Sequence, residues 1–155
     1  MRTTALMKIA CAALLLAPAS ASWAGEAEGH RHAIALFTGV SDGEEQDLSL
    51  GLEYEFRPVD LFGVGLIAEH TPGAHHDGAT VAAGALFAHP WRGLRITAGA
   101  GTESEPHHGD EFLLRAGMAY EFHLEESLLL TPSFGVDFVD GEEILVYGIS
   151  FGLAF

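Results

Sequence analysis

Leu145-Val146-Tyr147-Gly148-Ile149-Ser150-Phe151-Gly152-Leu153-Ala154-Phe155 closes the chain with bulky and small side chains in strict alternation. Successive side chains of a β-strand point to opposite faces. Leu145, Tyr147, Ile149, Phe151, Leu153 and Phe155 therefore share one face, and Val146, Gly148, Ser150, Gly152 and Ala154 the other. A period of two sustained this long is a strand signal, not a helical one. A soluble sheet that buried the bulky face would turn its glycines to water, weakening the strand without compensation.

The same template recurs upstream. Leu48, Leu50, Leu52, Tyr54 and Phe56 alternate with Ser49, Gly51, Glu53 and Glu55. Phe112, Leu114, Ala116, Met118, Tyr120 and Phe122 alternate with Leu113, Arg115, Gly117, Ala119, Glu121 and His123. Strands are expected at 33–40, 47–57, 61–70, 79–89, 94–103, 111–123, 128–139 and 143–155. Each is about the length of a tilted strand that crosses hydrocarbon, roughly 9–11 residues. Polar connections at Ser41 to Gln46, Thr71 to Gly78, Ser104 to Asp110 and Asp140 to Glu142 alternate with tight turns at Pro58 to Asp60, Pro90 to Gly93 and Leu124 to Glu126. Longer loops at one rim and short turns at the other characterise membrane barrels. The expected fold is all-β, an eight-stranded antiparallel up-and-down transmembrane β-barrel.

With the bulky faces outward, Gly51, Gly63, Gly65, Gly84, Gly99, Gly101, Gly117, Gly135, Gly148 and Gly152 are expected to point inward. An eight-stranded barrel has an interior just wide enough for side chains. Two strands give weak phase signals: Phe37 is out of step with Ile34 and Leu36, and 79–89 is mostly alanine. Tyr54, Phe56, Phe62, Phe87, Trp91, Tyr120, Phe122 and Phe155 fall at the short-turn ends, and Phe112, Phe138 and Tyr147 nearer the other rim. These are expected to form the two aromatic girdles of a barrel at its interfaces. Gly51 to Phe56 echoes Gly117 to Phe122, as half-barrel duplication or convergence on one strand template would produce.

At the other end of the chain, Arg2 and Lys8 precede an apolar run, Ile9 to Ala19, and small residues up to Ala24. That is the pattern of a secretory signal peptide. Ser22-Trp23-Ala24 fits cleavage before Gly25, Ala19-Ser20-Ala21 is a second site, and Met7 opens a more compact signal. The expected division is a signal peptide at 1–24 and the barrel at 25–155. Cys11 leaves with the signal, which excludes disulfides and thiol catalysis in the mature chain. Five arginines, no lysine and 22 acidic residues remain, a net charge of −17 with histidine neutral. That balance excludes a nucleic-acid partner. No apolar run after the signal is long enough for a transmembrane helix.

On the signal-like N-terminus, the eight amphipathic stretches and the alternation ending at Phe155, the chain resembles the small outer-membrane barrels, with the OmpA transmembrane domain, OmpX and OmpW as reference points. The resemblance implies a monomer in the bacterial outer membrane, among lipid and lipopolysaccharide. It also implies that Tyr147, Ile149, Phe151, Leu153 and Phe155 form an assembly signal read by the barrel-assembly machinery. It covers essentially the whole mature chain but is a likeness of pattern, so it bears on fold and location rather than activity. The loops are shorter than in the adhesive members of the group.

Three constellations bear on function. The inward face is expected to gather Glu53, Glu55, Glu69, Arg95, Arg115, Glu121 and Asp137, with Glu103 and His123 nearer the rims. Buried charges must be paired, so the leading expectation is a self-satisfied lumen plug in a non-enzymatic barrel with a structural or interaction role. Two arginines among five carboxylates leave negative charge to be protonated or hydrated. Second, His75, His76 and Asp77 in one loop and His107, His108 and Asp110 in the next suit a divalent ion such as Zn²⁺, Ni²⁺ or Cu²⁺. That alternative is a metal-binding or narrow transport barrel, and no other cofactor is expected. Third, Ser41, Ser104, His70 and His108 lie near the rim where lipid A-modifying barrels keep a serine or histidine, but no arrangement places a base against a nucleophile. No enzyme activity is expected.

Overall fold

The computed structural model describes residues 30–43, 45–72, 78–106 and 109–155. The signal-like segment and its cleavage sites lie outside the described residues. The strands are β1 (His32–Asp42), β2 (Gln46–Val59), β3 (Phe62–Thr71), β4 (Ala79–Trp91), β5 (Leu94–Glu105), β6 (Gly109–Tyr120), β7 (Phe122–His123), β8 (Leu128–Val139) and β9 (Glu142–Ala154). The wall has eight strands, because β7 continues β6 after a break at Glu121 and both pair with β8. Every pairing is antiparallel, and β1 pairs with both β2 and β9, so the sheet closes with no free edge.

Ring closure fixes the tilt. Partner by partner, His32, Phe56, Val64, Leu86, Ala98, Ala116, Val136 and Leu145 lead round the wall and back to β1 at Asp42, ten residues from the start. At about 3.3 Å per residue and about 4.8 Å between strands, that stagger inclines the strands by about 40°. The outward side chains from Leu145 to Phe155 then span about 25 Å along the axis, the height of an outer-membrane apolar band.

The wall presents Leu36, Leu50, Leu66, Leu86, Leu114, Met118, Ile149 and Phe151 on its outside. Phe62, Trp91, Tyr120 and Phe155 ring the short-turn end, and Phe112, Phe138 and Tyr147 the other. Trp91 is 74% exposed, which suits an interfacial anchor and no soluble core. Among the described residues no helix is long and apolar enough to cross a membrane. The closed ring with an apolar exterior makes this a membrane barrel that crosses with strands.

The strands run further than expected at the polar rim. Asp42 pairs with Gln46, Glu105 with Gly109 and Val139 with Glu142, leaving connections at 43–45, 106–108 and 140–141. Asp140 and Gly141 both have positive φ (45° and 87°), the two-residue hairpin whose twist matches the strands it joins.

Strand β4 corrects two expectations. Gly84 faces outward and Phe87 inward, so Gly84 leaves the lumen set and Phe87 the girdle. Directly paired residues in a sheet share a face. Gly63 on β3 pairs with Phe87, Gly65 with Ala85 and Glu69 with Val81. β4 therefore points Val81 and Phe87 into the lumen and leaves Ala82, Gly84 and Leu86 outside. The phase of β1 is settled likewise, because Phe37 pairs with inward Gly51 and inward Ser150.

Candidate functional site: the lumen

The inward side chains fill the lumen in layers. At the short-turn end Arg57 donates from Nε to Glu55 Oε1 (2.9 Å) and from Nη2 to Glu55 Oε2 (3.1 Å) and Glu121 Oε1 (2.6 Å). His89 Nε2 lies 2.7 Å from Glu55 Oε1, and its Nδ1 is 4.0 Å from Glu121 Oε2. Arg95 forks onto both oxygens of Glu53 and holds Glu55 and Glu121 at 3.9 and 3.8 Å. Its guanidinium carbon stands 5.0 Å from the centroid of the Phe87 ring, a cation–π contact. That contact gives the inward Phe87 a task no lipid-facing aromatic has.

A second ionic layer is built on Arg115. Its Nε and Nη2 donate to the two oxygens of Asp137 (2.6 and 2.5 Å), and its Nη1 and Nη2 to the two oxygens of Glu69 (2.6 and 2.8 Å). A planar guanidinium makes such double forks and an ammonium cannot. Between the layers a cavity of about 50 Å³ is lined by Glu53, Glu69, Arg95, Thr97, Arg115 and Ser150. It holds a few waters at most.

Beyond Arg115, toward the polar loops, the filling turns apolar. Val81, Ala83, Leu113 and Val139 pack together with Ile144 against them, and Leu113 has no exposed surface. A smaller group, Ile67, Ala85 and Phe87, lies beside the ionic layers.

All seven lumen residues expected from the sequence thus lie in two bonded groups: Glu53, Glu55, Arg95 and Glu121 in one, and Glu69, Arg115 and Asp137 in the other. Arg57 and His89 complete the first and were missed. Both continue an inward alternation by one step, Arg57 after Glu55 and His89 after Phe87, but the prolines that follow them mark turns. The charge balance changes accordingly, from two arginines among five carboxylates to three arginines and a histidine. Glu103 is buried further up the wall.

The loop residues proposed for a metal, His75, His76, Asp77, His107 and His108, lie outside the described residues. Their companion Asp110 is described and accepts a hydrogen bond from Ser104 Oγ (2.6 Å). His70 is bonded through Nδ1 to Thr80 Oγ1 (3.0 Å). Neither Ser104 nor His70 is thus shown in a serine–histidine pair. Among the described residues one group has the makings of an ion site, Glu55, His89 and Glu121, whose ligand atoms all lie within 4.8 Å of one another.

Tyr147, Ile149, Phe151 and Leu153 face outward on β9, and Phe155, just past its end, is exposed too. Phe155 is seated in the closing seam: its backbone exchanges hydrogen bonds with His32 (2.9 and 2.8 Å), and the two rings stack 5.5 Å apart. The His32 ring also stacks on Phe56 at 5.0 Å and bonds Tyr54 Oη through Nδ1 (2.8 Å).

No family model and no curated protein matches the chain. Solved structures do match in fold. The N-terminal β-barrel domain of Pseudomonas aeruginosa OprF aligns with a TM-score of 0.57 at 13% identity, over 81% of this chain and 98% of that one. The Pseudomonas aeruginosa outer membrane protein OprG aligns at 0.52 and 13%, over 81% and 97%. A de novo designed transmembrane β-barrel aligns at 0.54 and 12%, over 77% and 94%. The chain is therefore an eight-stranded barrel of the outer-membrane type. That a designed barrel matches as well as natural ones shows how little function such a likeness carries.

Proposed function

We propose that this barrel sits in the bacterial outer membrane after removal of an N-terminal signal, and serves there as a structural or interaction element with a lumen plugged by its own side chains. The observation that carries this reading is the layered filling: two ionic layers, a cavity of about 50 Å³ and an apolar layer around fully buried Leu113. A conducting column of water must pass all of them, through charges already bonded to one another and past the packed Leu113 cluster. Planar-bilayer recording tests the plug. Membranes holding the folded protein are expected to stay silent, and steady ion-selective pores would overturn the reading.

The outward residues of β9 favour assembly through the terminal strand, with Tyr147, Ile149, Phe151, Leu153 and Phe155 read by the assembly machinery. Lipid and lipopolysaccharide are the proposed neighbours of the wall, around a monomer. The acidic mature chain, which has no lysine, needs bridging divalent cations beside anionic lipopolysaccharide. Binding to lipopolysaccharide vesicles is expected to rise with Mg²⁺, and indifference to the cation counts against this. A non-enzymatic role accords with the partners found for Ser104 and His70. Lipid A from cells with and without the protein should give identical mass spectra, and a modified species would establish an enzyme.

A further inference from the structure

Three irregularities of the wall fall at the short-turn rim. The register shifts between Phe56 and Val59 and between Ala88 and Trp91, and regular pairing breaks at Glu121. Such interruptions re-aim side chains. Here they deliver Arg57, His89 and Glu121 to one point, where Glu55 already lies. The wall is hollowed to receive Glu55: a Cβ on Gly63 would come within 2.8 Å of its carboxyl carbon.

We propose that Glu55, His89 and Glu121 form a site for one divalent transition-metal ion at the short-turn end of the lumen, with Arg57 as its resident competitor. The donors come from β2, β4 and the β6–β7 junction, and all three side chains are largely buried. One imidazole nitrogen with two carboxylate oxygens suits Zn²⁺, Mn²⁺ or Co²⁺. Ligand atoms within 4.8 Å of one another need only small adjustments to reach bonds of about 2.0–2.2 Å.

Charge favours the exchange. Glu53, Glu55 and Glu121 face Arg57 and Arg95, so with a neutral imidazole the layer keeps one uncompensated negative charge in a buried setting. A divalent ion that takes the place of Arg57 leaves three carboxylates, one guanidinium and two metal charges, which balance. Arg57 can leave, because its side chain is 21% exposed at the rim, while those of Glu55 and Glu121 are nearly sealed. In barrels of this architecture the short turns face the periplasm, so the ion would enter from there. The site is independent of whether the lumen conducts.

Cobalt(II) titration of the detergent-folded barrel, read by its d–d absorption, tests the site. His75, His76, His107 and His108 are first replaced by glutamine to silence loop ligands, and heat-modifiable migration verifies folding. One equivalent of cobalt is expected to bind. Arg57→Gln should tighten it at least tenfold, and His89→Asn should weaken it at least tenfold in either background. No binding in folded Arg57→Gln, or a titration unchanged by His89→Asn, overturns the proposal. Should Arg57→Gln not fold, Arg57→Met repeats the test, and the His89→Asn comparison in the parent protein decides by itself.

Discussion

The two ends of the lumen are packed by different physics. At the loop end Val81, Ala83, Leu113 and Val139 pack as an apolar cluster, with Ser49, Thr71 and Glu103 also buried. From Arg115 down to the short turns it is filled by guanidinium forks on carboxylates. Apolar filling tolerates changes of shape that keep volume. Ionic filling fails when one partner goes, because the remaining charges are stranded away from water. The contrast teaches that a narrow barrel can turn many charges inward, provided each meets a partner of opposite sign there.

The largest expected effect comes from stranding charges. Arg115→Met leaves Glu69 and Asp137 buried and unpaired, a loss of about 3–5 kcal/mol, read by urea unfolding in lipid vesicles. Adding Glu69→Met and Asp137→Leu should restore most of it, since an apolar layer replaces an ionic one. If the triple variant is no more stable than the single, the pairing account is wrong. At the loop end Leu113→Ala should cost about 3 kcal/mol through the cavity it leaves, and Leu113→Met less than about 1.5 kcal/mol. The comparison sharpens if Arg115→Lys, equally conservative in charge, loses far more of its stability than Leu113→Met.

Glycines probe the inner and outer faces. Gly63→Ala drives a methyl into Glu55 and should cost about 1–3 kcal/mol. Gly84 has nothing closer than 4.0 Å to an added Cβ, so Gly84→Ala should be neutral or stabilise by up to about 1 kcal/mol. Equal effects at the two sites would contradict the outward placement of Gly84. At the rim hairpin Gly141→Ala strains a positive φ and should cost about 1 kcal/mol in the same unfolding measurement.

Much of this was legible in the sequence, and the failures share one cause. The strand from Leu128 to Val139 is found at its expected bounds, and β9 lies within one residue of them, because alternation and turn residues are local properties of the chain. The rule that bulky residues face out failed only where size gave a poor signal. Phe87 among alanines reads as a girdle residue, but the glycines of β3 leave room for it inside. Arg57 and His89 escaped because each stands last in its expected strand, before a proline that reads as a turn. His89 also shares the phase of Phe87, which only the pairing with β3 fixes.

The chain by itself determined that eight amphipathic strands would form, and which face most of them would turn to lipid. Each such decision is made by a few neighbouring side chains and by the solvent they meet. Only the closed ring decided the phase of β1 and β4 and the grouping of Glu55, Arg57, His89, Arg95 and Glu121. Those residues come from three strands and a junction, and their meeting depends on the ten-residue stagger and on bulges at one rim. Register around a closed sheet is a long-range property that no single strand records.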